Sequence, residues 1–123
     1  MNRSARGAAA RRRGRRAETA AAWLLRLKGF RILARDLRYR LGEIDLVARR
    51  GSLLVFVEVK ARADFEVAAE ALKPRQRQRI ARAARAYLGP RPELQGLAQR
   101  FDAVLVGGRG WPRHVPDAWR ESP

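Results

Sequence analysis

Asp45, Glu58 and Lys60 are the residues whose types and spacing could do chemistry together. They lie in Gly42-Glu43-Ile44-Asp45-Leu46-Val47 and Leu54-Val55-Phe56-Val57-Glu58-Val59-Lys60, two apolar runs on either side of Gly51-Ser52. A two-residue hairpin loop, with glycine where φ must be positive, pairs Arg50 with Leu53, and every later pair then sums to 103. That register sets Asp45 opposite Glu58 and Glu43 opposite Lys60 on one face, with Val47 opposite Phe56 nearer the turn. The other face carries Ile44 opposite Val59, Leu46 opposite Val57 and Ala48 opposite Val55, so it should lie under helices. Two carboxylates directly opposite one another stand about 5 Å apart at Cβ and repel. A hard divalent cation, Mg²⁺ or Mn²⁺, relieves that repulsion, because such an ion takes one or two carboxylates and fills its shell with water and substrate phosphate. Lys60 projects beside Glu58, where an ammonium can stabilise phosphorane charge or orient and deprotonate the attacking water. Together these are the roles that phosphodiester hydrolysis requires. The competing reading is a surface hairpin in which Glu43 pairs with Lys60 and the other acids face water. A Glu-x-Lys triplet alone has no weight against it. The facing register, the apolar backing and the charge of the chain favour the hydrolytic site.

Composition narrows the metal chemistry further. The chain has no cysteine and one histidine, His114, so thiolate and histidine-cluster sites are excluded and any metal must sit on oxygen. His114 has no evident partner and reads as a packed or solvent-facing tail residue. With 28 basic against 12 acidic residues the net charge is +16, a field that suits nucleic acid. Removing the seven arginines of residues 1–16 still leaves 21 basic against 12 acidic, or +9. The alternative source of this charge is a genomic bias toward arginine on a solvated face. Lysine occurs only at 28, 60 and 73, which makes a retained lysine informative. No run nears the roughly 20 apolar residues of a membrane span, and residues 1–16 lack the apolar core of a secretory signal; the cytoplasm is the expected compartment.

The elements that must position the site follow from periodicity. Residues 1–16, with Arg11-Arg12-Arg13-Gly14-Arg15-Arg16, read as a basic disordered arm, and 17–123 as one domain. Ala17, Ala20, Ala21, Leu24 and Leu27 recur at helical spacing up to Gly29, predicting a helix over 17–28. Phe30 to Arg40 alternates as a strand interrupted around Asp36. Residues 61–72 have no period and read as a loop. A second helix starts at Lys73 or Pro74 and ends before Gly89-Pro90. Its Gln76, Ile80, Ala83, Ala84 and Tyr87 share one face, an odd place for a merely solvated amide at Gln76, while Arg75, Arg79 and Arg82 form an outward basic stripe suited to backbone phosphates. Phe101 to Val106 reads as a buried strand, with Asp102 structural, and Trp111 to Pro123 as an irregular tail. The expected architecture is α/β: a mixed sheet built on a central antiparallel hairpin, with both helices against its apolar side.

The hairpin motif, continued by Ala61-Arg62, resembles the YraN-type UPF0102 family, which is similar in fold to PD-(D/E)XK, restriction-endonuclease-like nucleases including archaeal Holliday-junction resolvases. The resemblance runs from about Glu18 to Trp119 and takes in Lys28-Gly29-Phe30, Arg38-x-Arg40, the helix from Arg79-Ile80 to Tyr87-Leu88, and Arg100-Phe101-Asp102. It implies Asp45 and Glu58 as metal ligands and Lys60 as the catalytic lysine. It also matches Glu18 to the acidic residue that such nucleases place on their first helix to complete the metal site, against the plain reading of a first-turn glutamate on the helix dipole. Gln76 falls where related nucleases carry a site glutamine, and Glu43 reads as a partner of Lys60. The implied activity is metal-dependent endonuclease action on DNA, favoured over RNA, and a branched substrate cut with two-fold symmetry would favour a homodimer. Two rivals stand beside it: a non-catalytic nucleic-acid-binding module on the same fold, and a basic adaptor for RNA-rich assemblies.

Overall fold

A computed structural model describes the backbone of residues 3–61, 73–107 and 111–120, with side chains from residue 14 onward. The order is α1 (Arg3–Leu27), β1 (Arg31–Tyr39), β2 (Gly42–Arg50), β3 (Leu53–Ala61), α2 (Pro74–Leu88), a single-turn α3 (Pro92–Gln95), β4 (Ala98–Val106) and β5 (Arg113–Trp119). The strands form one mixed sheet in the order β1-β2-β3-β4-β5, in which only β3 and β4 run parallel. This is the α/β arrangement with a central antiparallel hairpin that the sequence predicts. No helix of the described residues is long and apolar enough to cross a membrane.

Helix α1 begins at Arg3, ahead of the start expected at Ala17. The residues read as a disordered arm are helical from Arg3 because alanine and arginine are both strong helix formers, so propensity extends the helix beyond its apolar stripe. Ala17 is the first buried residue among the described side chains of α1, and Ala21, Ala22 and Leu25 follow on the face that packs down. The loop expected over 61–72 lies outside the described residues, apart from Ala61, which ends β3. The tail is not irregular: Arg113–Trp119 pairs antiparallel with β4. Pro116 and a left-handed Asp117 (φ 52°) obscure the period-2 pattern of this strand.

The two helices lie on opposite faces, not together on one. Ala21, Ala22 and Leu25 of α1 pack with Phe30, Leu46, Ala48, Val55, Val57 and Val104. Ile80, Ala83, Ala84 and Tyr87 of α2 pack with Ile44, Val47, Leu54, Phe56, Ala103 and Leu105. Strands β2, β3 and β4 are therefore apolar on both faces, as interior strands of a layered α/β fold must be. The structure departs from the expectation of one helical side because Val47 and Phe56, on the same alternation phase as Glu58, are the floor under α2.

The hairpin register is observed from Arg50↔Leu53 to Leu46↔Val57, each pair summing to 103, and the pairing ends there. At the same level β1 and β2 change face together. Arg35 pairs with Leu46 and Leu37 with Ile44, while the intervening Asp36 and Asp45 are unpaired and Asp36 takes φ 48°. Ile44 consequently joins the α2-side core with Leu37 and does not follow Leu46 under α1. The break places Asp45 where the sheet opens.

Candidate active site

Asp45 sits at the fork. Its Oδ2 accepts a 2.8 Å hydrogen bond from the backbone N–H of Val59, so a carboxylate takes over where the strand pairing stops. Glu58, one residue earlier on β3, is buried and turns toward α2. Its Oε1 accepts from Gln76 Nε2 at 2.7 Å and stands 3.2 Å from Lys60 Nζ, which in turn donates to Gln76 Oε1 at 3.2 Å. Glu58, Lys60 and Gln76 thus form a closed triangle, with both ends of the glutamine amide used. The opposing-carboxylate expectation is modified by this geometry: Asp45 and Glu58 are neighbours across the fork, not partners in a ladder.

The approach of α2 that delivers Gln76 depends on Gly42. A Cβ on Gly42 would overlap the backbone carbonyl of Arg79, so only glycine lets the start of β2 lie against the helix. Glu43 next to it pairs with Arg79 at 2.9 Å, not with Lys60 as expected. Lys60 has Glu58 and Gln76 within reach and needs no other partner. Arg75 and Arg82 are exposed on α2, and Arg79 is partly so.

On the α1 side a cleft of about 290 Å³ opens between helix and sheet, lined by Gly14, Arg15, Ala17, Glu18, Asp36, Arg38, Asp45, Val59 and Ala61. Glu18 lines this cleft with Asp45, but its Oε1 is taken by Arg35 Nε at 3.1 Å, and Arg35 also donates to Thr19 Oγ1. Asp36, with its Arg38 partner at 3.2 Å, is a wall of the cleft that sequence reasoning saw only as an interruption of a strand. That interruption was the available signal.

The electrostatics follow from burial. Desolvation, reinforced by the charge of Asp45 and only partly offset by Lys60, pushes the Glu58 carboxyl up to about 8. Burial also raises Asp45 against the opposing hydrogen bond from Val59, and raises Glu18 against Arg35. Two adjacent carboxyls, one buried and one half-buried, that resist ionising together are a donor set short of positive charge. That fits a hard divalent ion held by one or two carboxylates and otherwise by water and substrate. It does not fit a protein cage, since among the described residues no three carboxylate or imidazole groups converge closely enough to hold an ion alone.

The raised pair also carries a sign for stability. Because the folded-state value of Glu58 lies above the ordinary 4.5, the folded chain keeps a proton that the unfolded chain releases. Its contribution is therefore greatest at low pH and is lost as pH rises from about 4.5 through 8. In EDTA, urea unfolding should show lower stability at pH 9 than at pH 5, with a difference of up to a few kcal/mol from this group. Glu58→Gln should flatten the slope, and an unchanged slope in that variant would refute the assignment.

A second polar cluster lies on β4 and β5. Asp102 has 0% exposure, yet accepts from Arg100 Nε and Nη2 at 2.7 and 2.8 Å, from His114 Nε2 at 2.7 Å and from the Asp117 amide at 3.0 Å. His114, expected to be without a partner, also takes a 2.8 Å bond from Lys28 Nζ at Nδ1. Burial alone would raise the Asp102 carboxyl, but the bonds from His114, Arg100 and Asp117 and the Arg100 charge outweigh it and hold it at about 2. The cluster fastens β5 to the sheet, which agrees with a structural Asp102.

The family model described as "Uncharacterised protein family UPF0102" matches residues 17–106, which contain both strands of the fork, the first helix from Ala17 and all of α2. The chain belongs to the UPF0102 family. Similar proteins carrying that family name include one from Parvibaculum lavamentivorans, 58% identical over 114 residues, spanning 93% of this chain and 86% of the relative. Another, from Paramagnetospirillum magneticum, is 58% identical over 116 residues, 91% of this chain and 90% of its own. A third, from Brucella canis, is 55% identical over 104 residues, 85% and 82% of the two chains. This UPF0102 protein thus matches its relatives over most of their length.

Proposed function

We propose that this UPF0102 protein is a metal-dependent endonuclease that hydrolyses phosphodiester bonds in DNA, acting in the cytoplasm. The observation that carries the reading is the fork: a half-buried Asp45 beside a buried Glu58, with Lys60 locked beside Glu58 by Gln76. Asp45 and Glu58 would hold a divalent cation, Mg²⁺ or Mn²⁺, with Glu18 across the cleft as a further acidic group. Bound there, the ion supplies charge stabilisation to phosphate oxygens and acidity to water. Lys60 keeps a positive charge next to the carboxylates and can donate to a phosphate oxygen as charge develops on it. Gln76 fixes the direction of that ammonium through its own carbonyl and fixes Glu58 through its amide. Arg75, Arg79 and Arg82 of α2 would contact the sugar-phosphate backbone without regard to sequence, so affinity should fall steeply with salt.

The test is cleavage of labelled linear, flapped, single-stranded and four-way-junction DNAs with Mg²⁺, Mn²⁺ or EDTA. Metal-dependent cutting should drop by a factor of about 10² or more in Asp45→Ala and in Lys60→Ala. A second reading, a non-catalytic DNA-binding protein with this fold, draws on the closure of the Glu58–Lys60–Gln76 triangle, which satisfies all three groups internally. It predicts binding without cutting, unchanged in both variants.

A further inference from the structure

The face of α1 that points away from the sheet is unlike an ordinary solvated helix face. Trp23 is 60% exposed and Leu27, one turn on, 72% exposed. The guanidinium of Arg26 lies 5.4 Å from the centre of the Trp23 ring. The ring forms one wall of a groove of about 580 Å³ lined by Arg15, Arg16, Thr19, Ala20 and Trp23, with no acidic residue in the lining among the described residues. Arg16, Ala20, Trp23 and Leu27 follow at helical spacing along one face, while the buried face carries Ala17, Ala21 and Leu25. Arg15 lines both this groove and the cleft that holds Asp45 and Glu18, so the two depressions meet at one side chain. Five residues of helix, about 7.5 Å of axis, separate Trp23 from Glu18.

We infer that Trp23 is a stacking platform for an unpaired base, and that the groove beside it tracks a single strand leading to the cleft at Asp45. An aromatic face flanked by arginines that follow a backbone is the combination by which single strands are held without sequence preference. The charge of the surroundings selects this occupant over a second copy of the chain: two molecules of +16 would bring Arg15, Arg16 and Arg26 against their own counterparts. The inference rests on the nucleic-acid reading of the site and names its substrate class as DNA with an unpaired segment. Duplex DNA hides its base faces and cannot use the platform.

The test reads binding, not cutting. Fluorescence anisotropy in EDTA compares oligo(dT) of about 16 nucleotides with a duplex of equal length, using wild type, Trp23→Ala and Trp23→Phe, after thermal unfolding has shown that the exposed substitutions leave the fold intact. Trp23→Ala should weaken single-strand binding about tenfold, within the range of roughly five- to hundredfold that one stacked base sustains. Duplex affinity should change by less than about twofold, and Trp23→Phe should recover most of the loss. Oligo(U) bound more tightly than oligo(dT), with the same dependence on Trp23, would support the platform and identify the unpaired strand as RNA. Equal losses on single strand and duplex, no loss at all, or a sedimenting dimer that Trp23→Ala dissociates would each overturn it. Because no strand is cut in EDTA, a protein that never cleaves DNA can still pass this test, and a proven nuclease can still fail it.

Discussion

Alanine at position 42 should cost about 3 kcal/mol or more of folding stability and, in whatever fraction remains folded, disconnect Gln76 from Glu58. The added Cβ would overlap the Arg79 backbone carbonyl, and backbone cannot swing aside as a side-chain tip can. Either β2 bends away at its first residue or α2 lifts from the sheet. Ile80, Ala83 and Ala84, all buried against β2 and its neighbours, move with the helix. Denaturant unfolding of Gly42→Ala gives the first number. Heteronuclear NMR shifts at Gln76 and Lys60 give the second, because a helix that has moved releases the Lys60–Gln76 and Gln76–Glu58 bonds. A variant with wild-type stability and unchanged shifts would show that the close approach is not required.

Asp102→Ala should be comparably severe, at about 3–5 kcal/mol, because it removes one partner of a buried charged network and leaves the others in place. Arg100 loses a two-pronged carboxylate, His114 loses its acceptor and the Asp117 amide loses the bond that steadies its left-handed backbone. Asp102→Asn should be milder, since it keeps an acceptor for one or two of those donors. The carboxylate's low value, about 2, adds a pH sign opposite to that of Glu58. Its stabilisation is complete above the ordinary 3.8 and is lost as pH falls toward 2. Acid unfolding of the wild type should therefore show a loss below about pH 4 that Asp102→Asn lacks.

Much of the hairpin was legible because a single turn determines it. Once Gly51-Ser52 is accepted as a two-residue loop, the pairing of Leu46 with Val57 follows by counting, and it is observed. Lys60 and Glu58, set on one face by counting, also meet Gln76, which the resemblance implied at the site. Counting fails at Asp45, because the face switch depends on a left-handed backbone at Asp36 in a different strand, and alternation within one strand contains no term for its neighbour. The same limit hid the placement of α2. Val47 and Phe56 sit on the same alternation phase as Glu58, so the phase could be read as chemical or as apolar, and the structure makes it both, changing character at the fork. His114 looked solitary because Lys28, just after α1, lies 86 residues away, and Asp102 meets it only through the pairing of β5 with β4.

The left-handed aspartates have a consequence for solubility at high concentration. Asp36 lies in β1 and Asp117 in β5, the two outermost strands. An outer strand is a template for intermolecular pairing only while its amides and carbonyls form a flat, continuous row. A residue at positive φ breaks that row, and the arginines at 31, 35 and 38 of β1 add charge along the same border. Each flank of the sheet thus carries a break that disfavours strand addition, and on β1 the break comes from the same aspartate that lines the cleft.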